Sequence, residues 1–465
     1  MGGSSSSQSK PEEEPVTRSS SFEFLPPNMS ELRVVLLGNS WSEKSSVGNF
    51  ILGETKFNTQ EEPDDCLRVS GRLKGKEIVL INTPDLLLPS ILQQSLRRPL
   101  ENCVRLCDPG PHVFLLVLQP EDFTEEHKLR LCRVLELFSH RSFDHSLVLI
   151  STPREESSGF MEKYMNHPPL KEMIRKCHYR FLWRKNLELP ELLTRLGQVV
   201  KENNGKPLSL RDMSPMMFSI RCGFQESAYL REIASCSSNG HQQSVQPDVP
   251  PVTRSSSFEF LPPNMSELRV VLLGNNWSQR SSVGNFILGE TKFNTKGEPD
   301  DCLRVRGRLK EKEIVLINTP DLLHPRISQH RLRRPVERCV RLSDPGPHVF
   351  LLVLQPEAFD EKGRLRLCTI LKYLSDRSFD HSLVLISTPR DKSPGFMEKY
   401  MNHPPLKEMI RKCHYRFLWR KNLELPELLT RLGQVAKENN GEHLSLREPD
   451  MSHMMFSSSF GFCAI

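Results

Sequence analysis

The chain lacks any run of 18 apolar residues, so nothing in it reads as a helix that crosses a bilayer. No apolar signal segment stands near its start. None of its 12 cysteines forms a C-x-x-C pair, which excludes the common zinc and redox motifs. Their scatter argues for free thiols in a reducing cytosol rather than a disulfide framework. Charge of one sign is also scarce: 63 basic residues stand against 57 acidic ones, a net of +6 with no basic block. Nucleic acid is therefore not an expected partner. What remains is the composition of a soluble globular protein, 37% hydrophobic and 26% charged, with 35 prolines that leave room for disordered stretches. A length of 465 residues suggests two to four domains.

Internal repetition decides how they are arranged. "SSSFEFLPPNMSELRVVLLGN", Ser19–Asn39, returns unchanged at Ser255–Asn275, displaced by 236 residues. The same displacement carries "DPGPHVFLLVLQPE" from Asp108 to Asp344 and "SFDHSLVLISTPR" from Ser142 to Ser378. A constant offset over so long a unit means a whole domain in tandem, not a solenoid. The expected division is a disordered tail at 1–29, copy 1 at 30–208, a flexible linker at 209–266, copy 2 at 267–446 and a frayed tail at 447–465. Such a linker reaches about 43 Å as a flexible coil, which lets the copies meet.

Within copy 1, Leu32–Leu37 reads as a buried parallel strand ended by glycine, and Ser46–Leu52 opens a helix. Leu67–Leu73 and Glu77–Asn82 form a hairpin around Gly75. Val113–Leu118 and Ser146–Ser151 are further buried strands, and Thr124–Ser139 between them is an amphipathic helix with acidic residues in its first turn. Met161–Cys177 and Pro190–Asn203 are the last helices. Strands alternating with helices predict an α/β fold, a mostly parallel sheet covered on both faces.

The chemistry sits after the first strand. A P-loop, G-x-x-x-x-G-K-[ST], turns backbone N–H groups towards phosphates at a helix N-terminus. Its lysine reaches the outer phosphates and its hydroxyl binds Mg²⁺. Gly38, Lys44 and Ser45 meet that pattern in the right context, but Glu43 stands where the second glycine belongs. In copy 2 Gly274 and Ser281 remain, Gln279 replaces the glycine and Arg280 the lysine.

"LRVVLLGNSWSEKSSVGNFILGETKF" resembles the opening of the GIMAP (immunity-associated nucleotide-binding protein) GTPases, with "GNxILG" after the P-loop. "KCHYRFLWRKN" followed by "ELLTRLGQVVKENNG" is similar to that family's last strand and helix. The resemblance implies two tandem Ras-like P-loop G domains, with GTP or GDP and Mg²⁺ as ligands. It implies nucleotide contacts at Gly38, Asn39, Lys44, Ser45, Ser46, Thr152 and Glu155, and at Gly274, Arg280, Ser281 and Asp391 in copy 2. Ser45 would ligate the metal. It also implies pairing of G domains, within one chain or between copies of it.

Departures from the family pattern predict weak or absent hydrolysis. A glutamate at position 43 has a Cβ and a like charge, and each unit of repulsion at ~4 Å is on the order of 4 kcal/mol at an effective dielectric of about 20. The family's D-T-P-G is "NTPD" at Asn82–Asp85 and at Asn318–Asp321, and "EEPDDC" before Cys66 offers no switch threonine. Glu155 and Asp391 hold the place of the guanine-reading carboxylate, while Pro153 and Pro389 replace a stacking Lys or Arg. Copy 1 is thus the expected binder and copy 2 the degenerate partner. The alternative is a pseudo-GTPase scaffold that assembles through its G-domain surfaces. Cys103 and Cys107 share a helix face, but Ser343 stands at the second position in copy 2; His112, His348 and His178 read as packed histidines. "MGGSSSSQSK" fits the N-myristoylation pattern at Gly2. One acyl chain supports only reversible membrane contact, so a cytoplasmic, at most peripheral, location is expected.

Overall fold

The computed structural model describes residues 25–446 apart from 27–28, 74, 89–96, 156, 209–260, 263–264, 310–311, 325–328 and 391–392. The Gly2 motif, most of the linker, the C-terminal tail and Asp391 lie outside the described residues.

Glu31–Gly38 (β1) holds the centre of the first sheet, because seven of its eight residues are buried and only a strand covered on both faces tolerates that. It pairs in parallel with Lys76–Asn82 (β3) on one side and Val113–Leu118 (β4) on the other. Leu67–Leu73 (β2) closes one edge antiparallel to β3; Ser146–Ile150 (β5) and Phe181–Trp183 (β6) extend the other edge in parallel. The order is β2-β3-β1-β4-β5-β6. Trp41–Leu52 (α1) and Leu189–Glu202 (α6) cover one face, packing Val47, Ile51, Leu192 and Leu196 on Val34, Leu36 and Leu147. Arg97–Leu106 (α2), Glu125–Phe138 (α3), Phe160–Met165 (α4) and Pro168–Lys176 (α5) bring Leu100, Leu131, Phe160 and Met173 to the opposite core with Val35, Leu37 and Phe114.

Copy 2 repeats the arrangement. Its strands are Glu267–Gly274 (β7), Leu303–Leu309 (β8), Lys312–Asn318 (β9), Val349–Leu354 (β10), Ser382–Ile386 (β11) and Phe417–Trp419 (β12), in the order β12-β11-β10-β7-β9-β8. Its helices are Trp277–Leu288 (α7), Gln329–Ser343 (α8), Glu361–Leu374 (α9), Phe396–Met401 (α10), Pro404–Lys412 (α11) and Leu425–Glu438 (α12).

Two local expectations give way. The helix expected over 161–177 is two helices, since Pro168–Pro169 ends α4 and supplies the first turn of α5. The first helix begins at Trp41, five residues before Ser46. Ser40 N-caps it, its side chain accepting from Glu43 N, and Asn276 does the same for Gln279 N. Ser40-x-x-Glu43 and Asn276-x-x-Gln279 both follow the N-cap spacing that starts a helix. Glu and Gln are helix formers where the missing glycine would have resisted the turn.

The copies pack on each other about a pseudo-two-fold axis, with α6 against α12. Gln198 Nε2 donates to the carbonyl of His414 and Gln434 Nε2 to that of His178, both at 2.8 Å. Lys171 pairs with Glu424 and Lys407 with Glu188, again both at 2.8 Å. Met161 N donates to Glu398 Oε1 (3.3 Å), and Ser158 Oγ to the carbonyl of Pro394 (3.0 Å).

Candidate functional site

β1 ends at Gly38 because nothing larger fits: a Cβ there would stand 1.9 Å from the carbonyl oxygen of Val117 in β4. Asn39 follows and brackets the strand ends, donating through Nδ2 to Gln119 O (3.1 Å) and accepting at Oδ1 from Gln119 N (2.8 Å). The Gln119 amide donates in turn to Thr152 O at 3.4 Å. One glutamine thus links the turn after β1 to the loop after β5. Asn275, Gln355 and Thr388 repeat the chain in copy 2. The repeated "LQPE" carried this signal, although Gln119 was not singled out from the sequence.

Beyond Asn39 the loop is wound into α1. Lys44 N donates to Ser40 O (3.1 Å) and Arg280 N to Asn276 O (3.1 Å), both first-turn helical bonds. The Lys44 side chain is fully buried; its Nζ lies 3.4 Å from both Gly38 O and Pro84 O. Burial pushes this ammonium down to about 8, against the pull of Asp85, Glu62 and the Cys66 thiol. Glu43 is not among these neighbours. Its charge acts instead on Arg184, whose burial-lowered pKa it opposes, and least of all the causes on Arg154, which is raised first by its pair with Asp122.

The carboxylates whose charge acts on the lysine come from elsewhere. Glu62 Oε1 accepts from Asp85 N at 2.8 Å, although the Glu62 residue is otherwise exposed. Asp85 is 5% exposed and its Oδ1 accepts from Leu87 N (3.4 Å). In copy 2 Glu298 Oε1 accepts from Asp321 N (3.1 Å), and Arg280 Nη1 stands 4.0 Å from Asp321 Oδ1. Arg280 also donates to Gly274 O (2.5 Å) and Thr319 O (3.1 Å), with burial lowering it to about 10. Glu62 and Glu298 were missed in the sequence because their partner is a backbone N–H about 23 residues away.

Ser45 Oγ accepts from Asn82 Nδ2 (3.0 Å) and Ser281 Oγ from Asn318 Nδ2 (3.1 Å). Asn82 Oδ1 and Asn318 Oδ1 are buried without a hydrogen-bond partner. An unmet buried acceptor beside a hydroxyl fits a metal-bound water, but the pair has no formal charge to hold the cation itself. Ser46 is exposed on α1, and Glu155 is exposed on the loop after β5. His178 is held by Asp144 (Nε2 to Oδ1, 2.8 Å), and its carbonyl serves the contact between copies.

Strand order, a lysine or arginine at the start of the first helix and a serine beside an asparagine define a P-loop G-domain class of protein, twice over. The AIG1 family profile matches residues 32–226 and 268–454, and the chain belongs to the AIG1 family. It is 24% identical over 463 residues to the human protein "GTPase IMAP family member 8", covering 93% of this chain and 66% of that one. The chain spans just under two thirds of the length of such curated relatives. It is 26% identical over 210 residues to "Immune-associated nucleotide-binding protein 9" of Arabidopsis thaliana, covering 40% of this chain and 60% of that protein. Among solved structures, Toc33 from Arabidopsis thaliana in complex with Mg²⁺ and GMPPNP is similar at 16% identity and a TM-score of 0.31, over 40% of this chain and 89% of that one.

Proposed function

We propose that the chain is a guanine-nucleotide-binding protein of the AIG1 type in which copy 1 binds GTP or GDP weakly, without useful hydrolysis. The observation that carries this reading is Lys44. It is a fully buried ammonium at a helix start, lowered to about 8 because its neighbours do not fully compensate it. A phosphate group would supply the missing negative charge. Lys44, Ser45 and the N-terminus of α1 would hold the phosphates, with Gly38, Asn39 and Ser46 around them. Thr152 and Glu155 would face the base. Mg²⁺ would lie at Ser45, where it would neutralise phosphate charge. Asn82 in place of an aspartate and Asp85 in place of a glycine support the loss of turnover. Copy 2, with Gly274, Arg280, Ser281 and Asp391, is the degenerate partner, in the division 30–208 and 267–446. Reversible membrane contact through Gly2 and a cytoplasmic location belong to the same proposal.

A second reading, a scaffold with no bound nucleotide, is favoured by the early winding of α1 over both lysine and arginine positions. Release and chromatography of nucleotide from the purified full chain, beside Lys44→Ala, separates the two. Guanine nucleotide that disappears in the variant supports binding; none in the wild type at saturating GTP and Mg²⁺ leaves the scaffold.

A further inference from the structure

Two carboxylates of the chain itself are the leading charges that act on Lys44. Asp85 is buried and fixed by Leu87 N, and it heads the charges that act on Lys44. Glu62 comes second and also occupies the backbone N–H of Asp85. An N–H that already donates to a carboxylate is not free for a phosphate oxygen. A terminal phosphate brought beside Asp85 would also meet an anion in a partly dry site. Copy 2 repeats the arrangement through Glu298 and Asp321 around Arg280.

We propose, resting on the nucleotide-binding reading above, that Asp85 and Glu62 make copy 1 selective for nucleoside diphosphate over triphosphate, their carboxylates taking the place of the terminal phosphate. The two carboxylates differ in kind. Glu62 sits on an exposed stretch and can swing out, so it acts as a removable strap. Asp85 cannot leave without opening the turn that Leu87 N holds, so it sets the selectivity.

The test is equilibrium binding of fluorescent GDP and of a fluorescent non-hydrolysable GTP analogue to the nucleotide-stripped full chain in Mg²⁺. Wild type is expected to favour the diphosphate by about tenfold or more. Asp85→Gly should raise triphosphate affinity by about tenfold with little change for diphosphate, and Glu62→Gln should do so by a smaller factor. Asp85→Asn, which keeps the side-chain acceptor for Leu87 N, covers the case in which the glycine variant does not fold. Equal wild-type affinities, or variants that move both nucleotides in parallel, overturn the selectivity and leave nucleotide binding standing. If neither nucleotide binds at saturating concentration, both fall together.

Discussion

The side-chain amide of Gln198 donates to the main-chain carbonyl of His414 at 2.8 Å, across the boundary between the copies. Its Oε1 accepts from Arg195 Nη1 at 2.6 Å, so a buried arginine in α6 is tied through one glutamine to the opposite domain. Arg431, Gln434 and His178 form the mirror relay. His178 and His414 adopt left-handed backbone conformations, with φ of 55° and 54°, which turn these carbonyls to the partner copy.

Gln198→Ala should leave the His414 carbonyl and the Arg195 guanidinium short of a partner. Buried unmet groups cost about 1–3 kcal/mol each. The double variant Gln198→Ala/Gln434→Ala should lower the urea midpoint clearly more than either single change. Small-angle scattering should show a larger radius if the copies separate before they unfold.

Contact between the copies should also depend on pH. Burial raises Glu191 and Glu427 to about 7, against the opposing pull of Arg195 and Arg431. A carboxyl whose folded pKa exceeds its unfolded value contributes stability below the unfolded value and loses it as pH rises through the folded one. Each can contribute on the order of 3 kcal/mol at most. Burial holds His112 and His348 down to about 3 and His381 to about 4, so these groups cost stability as pH falls below about 6.5. Chemical denaturation should give maximal stability near pH 6. The loss that these two carboxyls cause as pH rises from 4.5 to about 7 should be absent in Glu191→Gln/Glu427→Gln.

Gly48 in α1 should be intolerant of alanine for a reason unrelated to ligand. A Cβ there would lie 2.6 Å from Phe57 Cδ2 and 3.3 Å from Leu36 Cδ1, in the core beneath the helix. Overpacking of this kind costs about 1–3 kcal/mol. Gly48→Ala should lower the thermal midpoint while Ser46→Ala, at an exposed position of the same helix, leaves it nearly unchanged.

Glu43→Gly should trade helix for loop. Glycine is disfavoured in a helix by about 1 kcal/mol, and the first turn of α1 should fray where Lys44 N now bonds Ser40 O. Stability should fall by about that amount while guanine-nucleotide affinity rises several-fold. Calorimetric titration beside a denaturation curve reads both. A loss of stability without any gain in affinity would mean that the turn is not what restricts the site.

Most of the sheet was legible because buried strands such as Val113–Leu118 announce themselves as short apolar runs bounded by turn residues. The helix break at Pro168–Pro169 is legible too in the proline pair, although helical periodicity runs across it. The start of α1 was misplaced because a phosphate loop was expected after Gly38. The Ser40-x-x-Glu43 cap spacing was the local signal that the structure obeys.

The amino-acid sequence by itself determined the tandem architecture, the mostly parallel α/β class and the places of Lys44, Ser45, Asn82 and Asp85 along the chain, since these follow from a constant offset and from local pattern. Only the tertiary structure decided what surrounds Lys44, that Glu62 reaches the Asp85 amide, and that Gln198 meets His414. Those contacts join backbone groups to side chains far apart in the chain, and hydrogen bonds to a main-chain N–H or carbonyl leave no residue-type signature to read in advance.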